Sequence, residues 1–239
     1  MKINLEPEES YSRYGFRIFR EKVSLVLIIE MYKEYQSIAE AEYLKQNPFW
    51  HFRHLSIRSP LFQSIALSGY FPKLAASLIG VPSVRLLFGQ VILKPAGYPG
   101  TPWHQDQSSL CIDSYGICTF WIPLEEIRPG FGGIQFAEVE SRHGGPVDGI
   151  GLHSPTTRTD LTTQYVDLSL GSFTVHDGWA IHRAEANQSK KHRPAVNLVY
   201  YDANARIETT LNRNWQAARD MFFPGLQPNE LAANHPIAE

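Results

Sequence analysis

The chain has 239 residues, of which 43% are hydrophobic, 12% aromatic and 19% charged, and its formal net charge is −2. This composition excludes an intrinsically disordered protein, and the slight acidic excess argues against a protein that binds nucleic acid through its charge. Because the longest apolar run is only Leu25 to Ile29, we expect no membrane span. The first residues contain no apolar signal-peptide stretch and the chain has two cysteines, so we expect a globular, cytoplasmic protein without a disulfide framework.

The first 80 or so residues predict helices. Apolar side chains recur at three- and four-residue spacing from about Val23 to Leu44, which is typical of an amphipathic helix, and Asn47-Pro48 ends it. A second helix is expected to begin at Pro60, and a third covers Leu74 to Ile79 with Gly80 as its C-cap. Residues 1–80 are therefore expected to form a helical support.

From Pro82 to about Asp202 the pattern changes to short β-type runs separated by glycine and proline, which predicts a sandwich or barrel. The predicted strands are Val84–Lys94, Gly116–Leu124, Gly133–Val139, Thr162–Leu168, Ser172–His176 and Pro194–Tyr201. The polar stretch Ser141–Asp160 is long for a loop and is expected to be disordered or a lid. With a helix over Asn214–Phe222, the chain is expected to be a single domain over 1–239, its β core at 82–202 and its C-terminal helix and tail at 203–239.

The sharpest local signal is the pair His104 and Asp106 in the segment TPWHQD. Residues i and i+2 of a strand point to the same face, so this imidazole and this carboxylate can supply two of the three ligands of a facial triad for non-haem Fe(II). About one such pair is expected by chance in this composition, so a surface histidine beside an Asp N-cap stays open as an alternative. The candidates for a third, distant ligand are His143, His153, His176, His182 and His192.

Arg193 opens the last predicted strand, eleven residues after His182. Two adjacent antiparallel strands could bring its guanidinium beside the metal site. The planar fork of donors matches a carboxylate and would suit the far end of a dicarboxylate co-substrate. The alternative is an ordinary surface arginine on an edge strand.

Taken together, these segments resemble the phytanoyl-CoA dioxygenase-like branch of the Fe(II)/2-oxoglutarate oxygenases. The resemblance extends over most of the chain and rests on Tyr11–Ile18, Gln90–Pro95, Trp103–Asp106, Thr119–Leu124, Gly132–Ile134 and the spacing of His182 from Arg193. It implies a mainly β fold, in which helices support a double-stranded β-helix, or jelly roll, of the cupin-like kind.

The resemblance also implies roles for individual residues. His104, Asp106 and His182 would be the catalytic iron ligands, Arg193 would pair with the distal carboxylate of 2-oxoglutarate, and Gln90 and Trp121 would contact the same co-substrate. Gln90 is expected on the same strand face as Val84, Leu86 and Phe88, and His176 is expected beside the ligands or at the rim. In one departure from the family pattern, Ala184 stands where many relatives have a hydroxyl that helps to hold the co-substrate.

The implied reaction uses O2 and 2-oxoglutarate to hydroxylate an unactivated C–H bond of a small-molecule metabolite, for example in natural-product biosynthesis, and releases succinate and CO2. Desaturation, ring formation or epimerisation at the same site stays open, as does a non-redox, cupin-like metal-binding protein. A nucleic-acid repair oxygenase is disfavoured by the net charge. The substrate pocket is expected to include Trp103, Gln107, Phe136 and Trp179.

Overall fold

Two antiparallel β-sheets pack against each other in the computed structural model, which describes residues 7–42, 58–113, 116–140 and 163–239. The larger sheet has the strand order β1-β7-β4-β9-β2-β10 and the smaller one β3-β8-β5-β6. The strands are β1 Phe16–Phe19, β2 Val84–Lys94, β3 Thr101–His104, β4 Ile117–Pro123, β5 Ile134–Ala137, β6 Thr163–Tyr165, β7 Phe173–Asp177, β8 His182–Ala184, β9 Arg193–Asp202 and β10 Ile237–Ala238. The helices are α1 Pro7–Tyr14, α2 Leu25–Glu42, α3 Pro60–Leu67, α4 Tyr70–Ile79 and α5 Arg213–Phe222, with a short 3-10 helix at Asp106–Ser109.

Helices α2, α3 and α4 cover the outer face of the larger sheet, where their apolar side chains join those of the strands in one core cluster. The Ser59 side chain caps α3 by accepting a hydrogen bond from the Phe62 backbone N–H at 3.3 Å, and Gly80 ends α4 in the left-handed conformation. The Tyr200 hydroxyl of β9 donates to the Ala66 carbonyl at 2.8 Å. These helices therefore support the larger sheet on the face that points away from the smaller sheet.

A β-bulge in β2 decides which of its side chains face the space between the sheets. The register with β9 shifts between Leu86 and Phe88, so one extra residue is inserted into β2. Before the shift Val84 and Leu86 face the helices, and after it Phe88 and Gln90 face the inner cavity. The expectation that Gln90 shares a face with Val84 and Leu86 is therefore wrong, because simple alternation fails at a bulge.

The predicted mainly β fold with a jelly-roll-like arrangement of two sheets is confirmed. Each of the six predicted strands overlaps an observed strand, whereas the short strands β1, β3, β8 and β10 were not predicted individually. The stretch Ser141–Asp160 lies outside the described residues. Within the described part of the chain, no helix combines the length and hydropathy needed to cross a bilayer.

Candidate active site

The pairing of two short strands brings the first two candidate ligands together. In the antiparallel register of β3 with β8, His104 lies directly opposite His182, and their ring centroids are 4.1 Å apart. Asp106 begins the 3-10 helix two residues after His104. One ligand atom of each of the three side chains lies within 4.8 Å of the others, which is the arrangement of a two-histidine, one-carboxylate metal site.

Backbone carbonyls fix the tautomer of both histidines. Nδ1 of His104 donates to the Pro102 carbonyl at 2.8 Å, and Nδ1 of His182 donates to the Ala180 carbonyl at 3.0 Å. Since a carbonyl can only accept, each neutral ring keeps the lone pair of Nε2 free, and these atoms lie 3.6 and 3.7 Å from Oδ1 of Asp106. Burial, with the neighbouring histidine, lowers the pKa of both rings to about 4, so both are neutral at pH 7, as metal ligation requires.

The second carboxylate oxygen of Asp106 is held from the opposite side by the larger sheet. Oδ2 lies 3.3 Å from Nε2 of His176 and accepts a hydrogen bond from the Thr119 hydroxyl at 3.4 Å. Although burial opposes ionisation, the attraction of His182, the hydrogen bond and attraction of His176, and the attraction of His104 keep the pKa of Asp106 well below its usual value. The carboxylate is therefore ionised and oriented, with Oδ1 directed at the two imidazoles.

Two cationic side chains are buried next to each other at one end of the same cavity. Arg193 and Lys94 are partners in the register of β9 with β2, and each is 1% exposed. Lys94 Nζ donates to the Glu185 carbonyl at 2.6 Å, and burial together with the Arg193 charge lowers the pKa of Lys94 to about 7. The chain approaches Lys94 closely at Gly132, which has a positive φ and where a Cβ would come within 2.7 Å of the lysine Cδ.

The Arg193 guanidinium is buried without a counter-charge among the described residues. Its Cζ lies 5.1 Å from the centre of the Trp121 ring, and its Nε and Nη1 are buried without a hydrogen-bond partner. Burial lowers the pKa of Arg193 to about 9. Because a buried, unpaired charge is costly, this group fits an anionic ligand such as the distal carboxylate of a dicarboxylic acid. The donors present therefore suit both iron and 2-oxoglutarate.

Gln90 and Trp121 lie on either side of Asn197, which is their register partner on β9. All three line the cavity, and Oδ1 of Asn197 is buried without a hydrogen-bond partner among the described residues. Sequence reasoning missed Asn197. Its signal is a single polar side chain in the apolar run after Arg193, at the even spacing that puts both on one face.

The cavity has a volume of about 590 Å³, which is within the range of small-molecule sites. The described residues that line it include the triad, His176, both cations and a wall of α5. Helix α5 presents one face to the cavity at spacings of three and four residues, formed by Asn214, Ala217, Ala218 and Met221.

The four residues expected in the substrate pocket do not line this cavity. Trp103 precedes His104 on β3 and so points to the other face of the smaller sheet, where the Arg183 guanidinium lies 4.7 Å from its ring. Phe136 is fully buried between the sheets and stacks on Phe16 at 4.4 Å.

The other two expected pocket residues stabilise the chain beside the triad. The Gln107 side chain donates to the Ile112 carbonyl at 2.9 Å, and its backbone N–H donates to Gly178 at 2.8 Å. The Trp179 carbonyl accepts from the Gln105 side chain at 2.7 Å, and its backbone N–H donates to Asp177. Closeness to the ligands in sequence favours a pocket position for both residues, but the contacts of Gln107 and of the Trp179 backbone instead tie the 3-10 helix to the turn before β8.

Comparison with known proteins agrees with this geometry. Residues 51–195, which are more than half of the chain, match the family model of phytanoyl-CoA dioxygenase. Comparison with curated protein sequences gives no match. Among solved structures, the chain is similar to the α-ketoglutarate-dependent carbocyclase SnoK of nogalamycin biosynthesis, with a TM-score of 0.75, 18% identity and coverage of 99% of this chain and 97% of SnoK.

Two further structures share the fold. The epimerase SnoN from nogalamycin biosynthesis has a TM-score of 0.75 at 21% identity, covering 95% of this chain and 92% of SnoN. EctD from S. alaskensis, solved with 2-oxoglutarate and 5-hydroxyectoine, has a TM-score of 0.72 at 14% identity, covering 99% of this chain and 90% of EctD. As the sequence resemblance predicts, the chain belongs to the phytanoyl-CoA dioxygenase family of Fe(II)- and 2-oxoglutarate-dependent oxygenases.

Proposed function

We propose that this protein hydroxylates a C–H bond of a small molecule with O2 and 2-oxoglutarate, and that its reaction releases succinate and CO2. The observation that carries the proposal is a combination within one cavity: three convergent ligand side chains and a buried arginine that has two unpartnered N–H groups. The three ligands alone would fit several divalent metals, and the arginine alone would fit many anions. Together in one cavity they match iron and an anionic co-substrate.

The two histidines and the aspartate would hold the iron. Nε2 of His104 and of His182 and Oδ1 of Asp106 are the donor atoms, since the remaining ring nitrogens and Oδ2 are already hydrogen-bonded. Bound iron, together with 2-oxoglutarate and O2, supplies the oxidising power that removes hydrogen from a C–H bond. The protein's part is to keep the ligands in one geometry and to exclude bulk water from the cavity.

Arg193 would bind the distal carboxylate of 2-oxoglutarate, with Lys94 adding a second positive charge beside it. Gln90, Asn197 and Trp121 would line the path from that carboxylate towards the triad, because they form one row across β2, β9 and β4. The family's usual hydroxyl is replaced here by Ala184.

The non-redox alternative does not account for these cations. A cupin-like protein that only binds a metal would have no use for two buried positive charges next to the triad. Ring formation and epimerisation, which the names of SnoK and SnoN state for those proteins, are outcomes that the same experiment distinguishes. A cytoplasmic location stays a prediction from the amino-acid sequence.

The test is a two-step titration under nitrogen. Fe(II) is added first and 2-oxoglutarate second, and the metal-to-ligand charge-transfer absorption reports their joint binding. Candidate substrates are then screened in air for stimulated succinate release, with products identified by mass spectrometry. A product that gains one oxygen atom supports hydroxylation, whereas a loss of two hydrogens or an isomer shows one of the alternatives. Absence of any 2-oxoglutarate binding would overturn the proposal.

A further inference from the structure

The half of the cavity beyond the triad differs in chemistry from the co-substrate end. Its wall consists mainly of Phe88 and Leu110, Val199 of β9, and the α5 side chains Ala217, Ala218, Met221 and Phe222. The rings of Phe88 and Phe222 stack at 5.6 Å and close one side. This surface stabilises a ligand by removing apolar area from water.

None of the charged side chains among the described lining residues faces the α5 wall. Among the described lining residues, Lys94 and Arg193 face the co-substrate end, and Asp106 belongs to the triad. Arg183 donates through Nε to Gln135 at 2.7 Å and lies over Trp103, on the face of the smaller sheet opposite to His182. A charged substrate group would therefore meet no opposite charge from these residues at the α5 wall, and burying it there is costly.

One polar atom at this end lacks a partner within the described part of the chain. The hydroxyl oxygen of Ser109 is buried without a hydrogen bond, and Ser109 lines the cavity next to Leu110. Ser109 ends the 3-10 helix that Asp106 begins, and residues three apart in such a helix lie on the same side. Ser109 is consequently on the same side of this helix as the metal-ligand carboxylate, and both residues line the cavity. The Ser109 hydroxyl can donate to or accept from a ligand oxygen.

We infer that the substrate is an uncharged molecule with a mainly hydrocarbon or aromatic skeleton, and that Ser109 binds a hydroxyl or carbonyl oxygen on it. The α5 wall holds the skeleton, and the Ser109 contact sets which part of it faces the triad. This inference rests on the proposed function, since it assigns the iron ligands and the cations to iron and to 2-oxoglutarate.

The test uses four probes that share one skeleton: 2-naphthalenemethanol, 2-methylnaphthalene, 2-naphthoate and 2-naphthylmethylammonium. Protein loaded with Fe(II) and 2-oxoglutarate under nitrogen is titrated with each probe, and binding is followed by ligand-observed NMR. The alcohol is expected to bind about tenfold or more tightly than either ion, because neither charge finds a partner at the wall. Tighter binding of the carboxylate or the ammonium probe would overturn the inference.

Variants separate the hydroxyl contact from the wall. Ser109→Ala should lower the affinity for the alcohol probe by about 2- to 10-fold, as expected for the loss of one neutral hydrogen bond, and should leave the affinity for 2-methylnaphthalene unchanged. Equal effects on both probes would show that Ser109 only packs. Ala217→Phe should weaken all naphthalene probes about tenfold or more by filling the cavity. The matched control is Gln216→Phe, at an exposed position on the same helix that does not line the cavity.

Different results would overturn the proposed function and the substrate inference. If the charge-transfer band does not form, the proposed function is wrong, whatever the probes do. If the band forms and Ala217→Phe lowers probe binding no more than Gln216→Phe does, the cofactor assignment stands and the substrate inference is wrong.

Discussion

The two ends of the cavity recognise their ligands by opposite means. At the co-substrate end, Arg193 and Lys94 are fixed on adjacent strands, and the arginine has N–H groups that no described residue satisfies. At the other end, a helix presents apolar side chains, and the Ser109 hydroxyl lacks a partner among the described residues. Charge therefore selects one ligand, while shape and apolar area select the other. Under the proposed function, the co-substrate end binds a dicarboxylate and the apolar end binds the substrate.

The largest effect is expected at the triad, which separates the two ends. His182→Ala removes one of the three donor atoms, so turnover should fall to background and iron affinity by more than about 100-fold. Iron binding is measured by anaerobic titration, and far-UV circular dichroism checks the fold. Because the α5 wall is not altered, naphthalene probes should still bind. Near-normal turnover of His182→Ala would contradict the assignment of the ligands.

The next effect isolates the co-substrate end. Arg193→Leu should raise the dissociation constant of 2-oxoglutarate by about 10- to 150-fold, the loss of one to two charge-assisted hydrogen bonds, while iron affinity without co-substrate stays the same. Arg193→Lys should recover only part of the affinity because an ammonium lacks the planar fork. Arg128→Leu, at an exposed arginine paired with Glu126, is the control. Unchanged 2-oxoglutarate affinity in Arg193→Leu would leave Lys94 as the main anchor.

A substitution of His176 should lower iron affinity without changing the binding of 2-oxoglutarate or of the naphthalene probes. His176→Gln weakens the hold on Oδ2 of Asp106, which lies 3.3 Å from Nε2, and iron affinity is expected to fall by about 10- to 100-fold. The measurement is again the iron titration, with His235→Gln as a histidine variant remote from the triad. Identical iron affinities in the two variants would show that Thr119 and the neighbouring backbone suffice to orient the carboxylate.

Long elements and the pair His104 and Asp106 could be predicted from the sequence because each rests on a local rule, whereas His182 was assigned as the third ligand through the family resemblance. The three-and-four spacing in α2, the run of β9 and the i, i+2 relation of His104 to Asp106 need no knowledge of distant contacts. The eleven-residue step from His182 to Arg193 became informative through the family resemblance. Together, the ligand pair and the spacing of His182 from Arg193 identify the triad and the co-substrate end of the cavity.

The substrate end could not be predicted for two physical reasons. Trp103 and Trp179 are near the ligands in sequence, yet neighbouring residues of a strand point to opposite faces and turn residues fix the backbone. The cavity wall instead comes from α5, about 30 residues after His182, and from side chains of β2 whose direction is set by a bulge. Neither the tertiary docking of a helix nor a bulge leaves a local signal in the sequence.

The smallest effect is expected from Lys94, and it tests whether burying this lysine beside Arg193 destabilises the protein when no anion is bound. Burial and Arg193 lower the pKa of Lys94 to about 7, below the usual value of 10.5, so between these values the unfolded chain binds more protons than the folded protein. Stability of the ligand-free protein should therefore rise with pH across this window, by up to about 1.4 kcal/mol per pH unit from this group, and show no such gain below pH 7. Lys94→Met should lose this slope and gain stability over wild type mainly at neutral pH and below.

Urea unfolding between pH 6 and 9.5 measures the slope, and Lys73→Met, which removes an exposed lysine of α4, is the control. Saturating 2-oxoglutarate should reduce the wild-type slope, because an anion beside Lys94 favours its charged form and raises its pKa. Parallel stability curves for wild type and Lys94→Met would mean that the lysine stays charged in the ligand-free protein. The Glu185 carbonyl and its neighbours would then stabilise the charged lysine without a bound anion. In that case Arg193 alone would distinguish the co-substrate end from the apolar end.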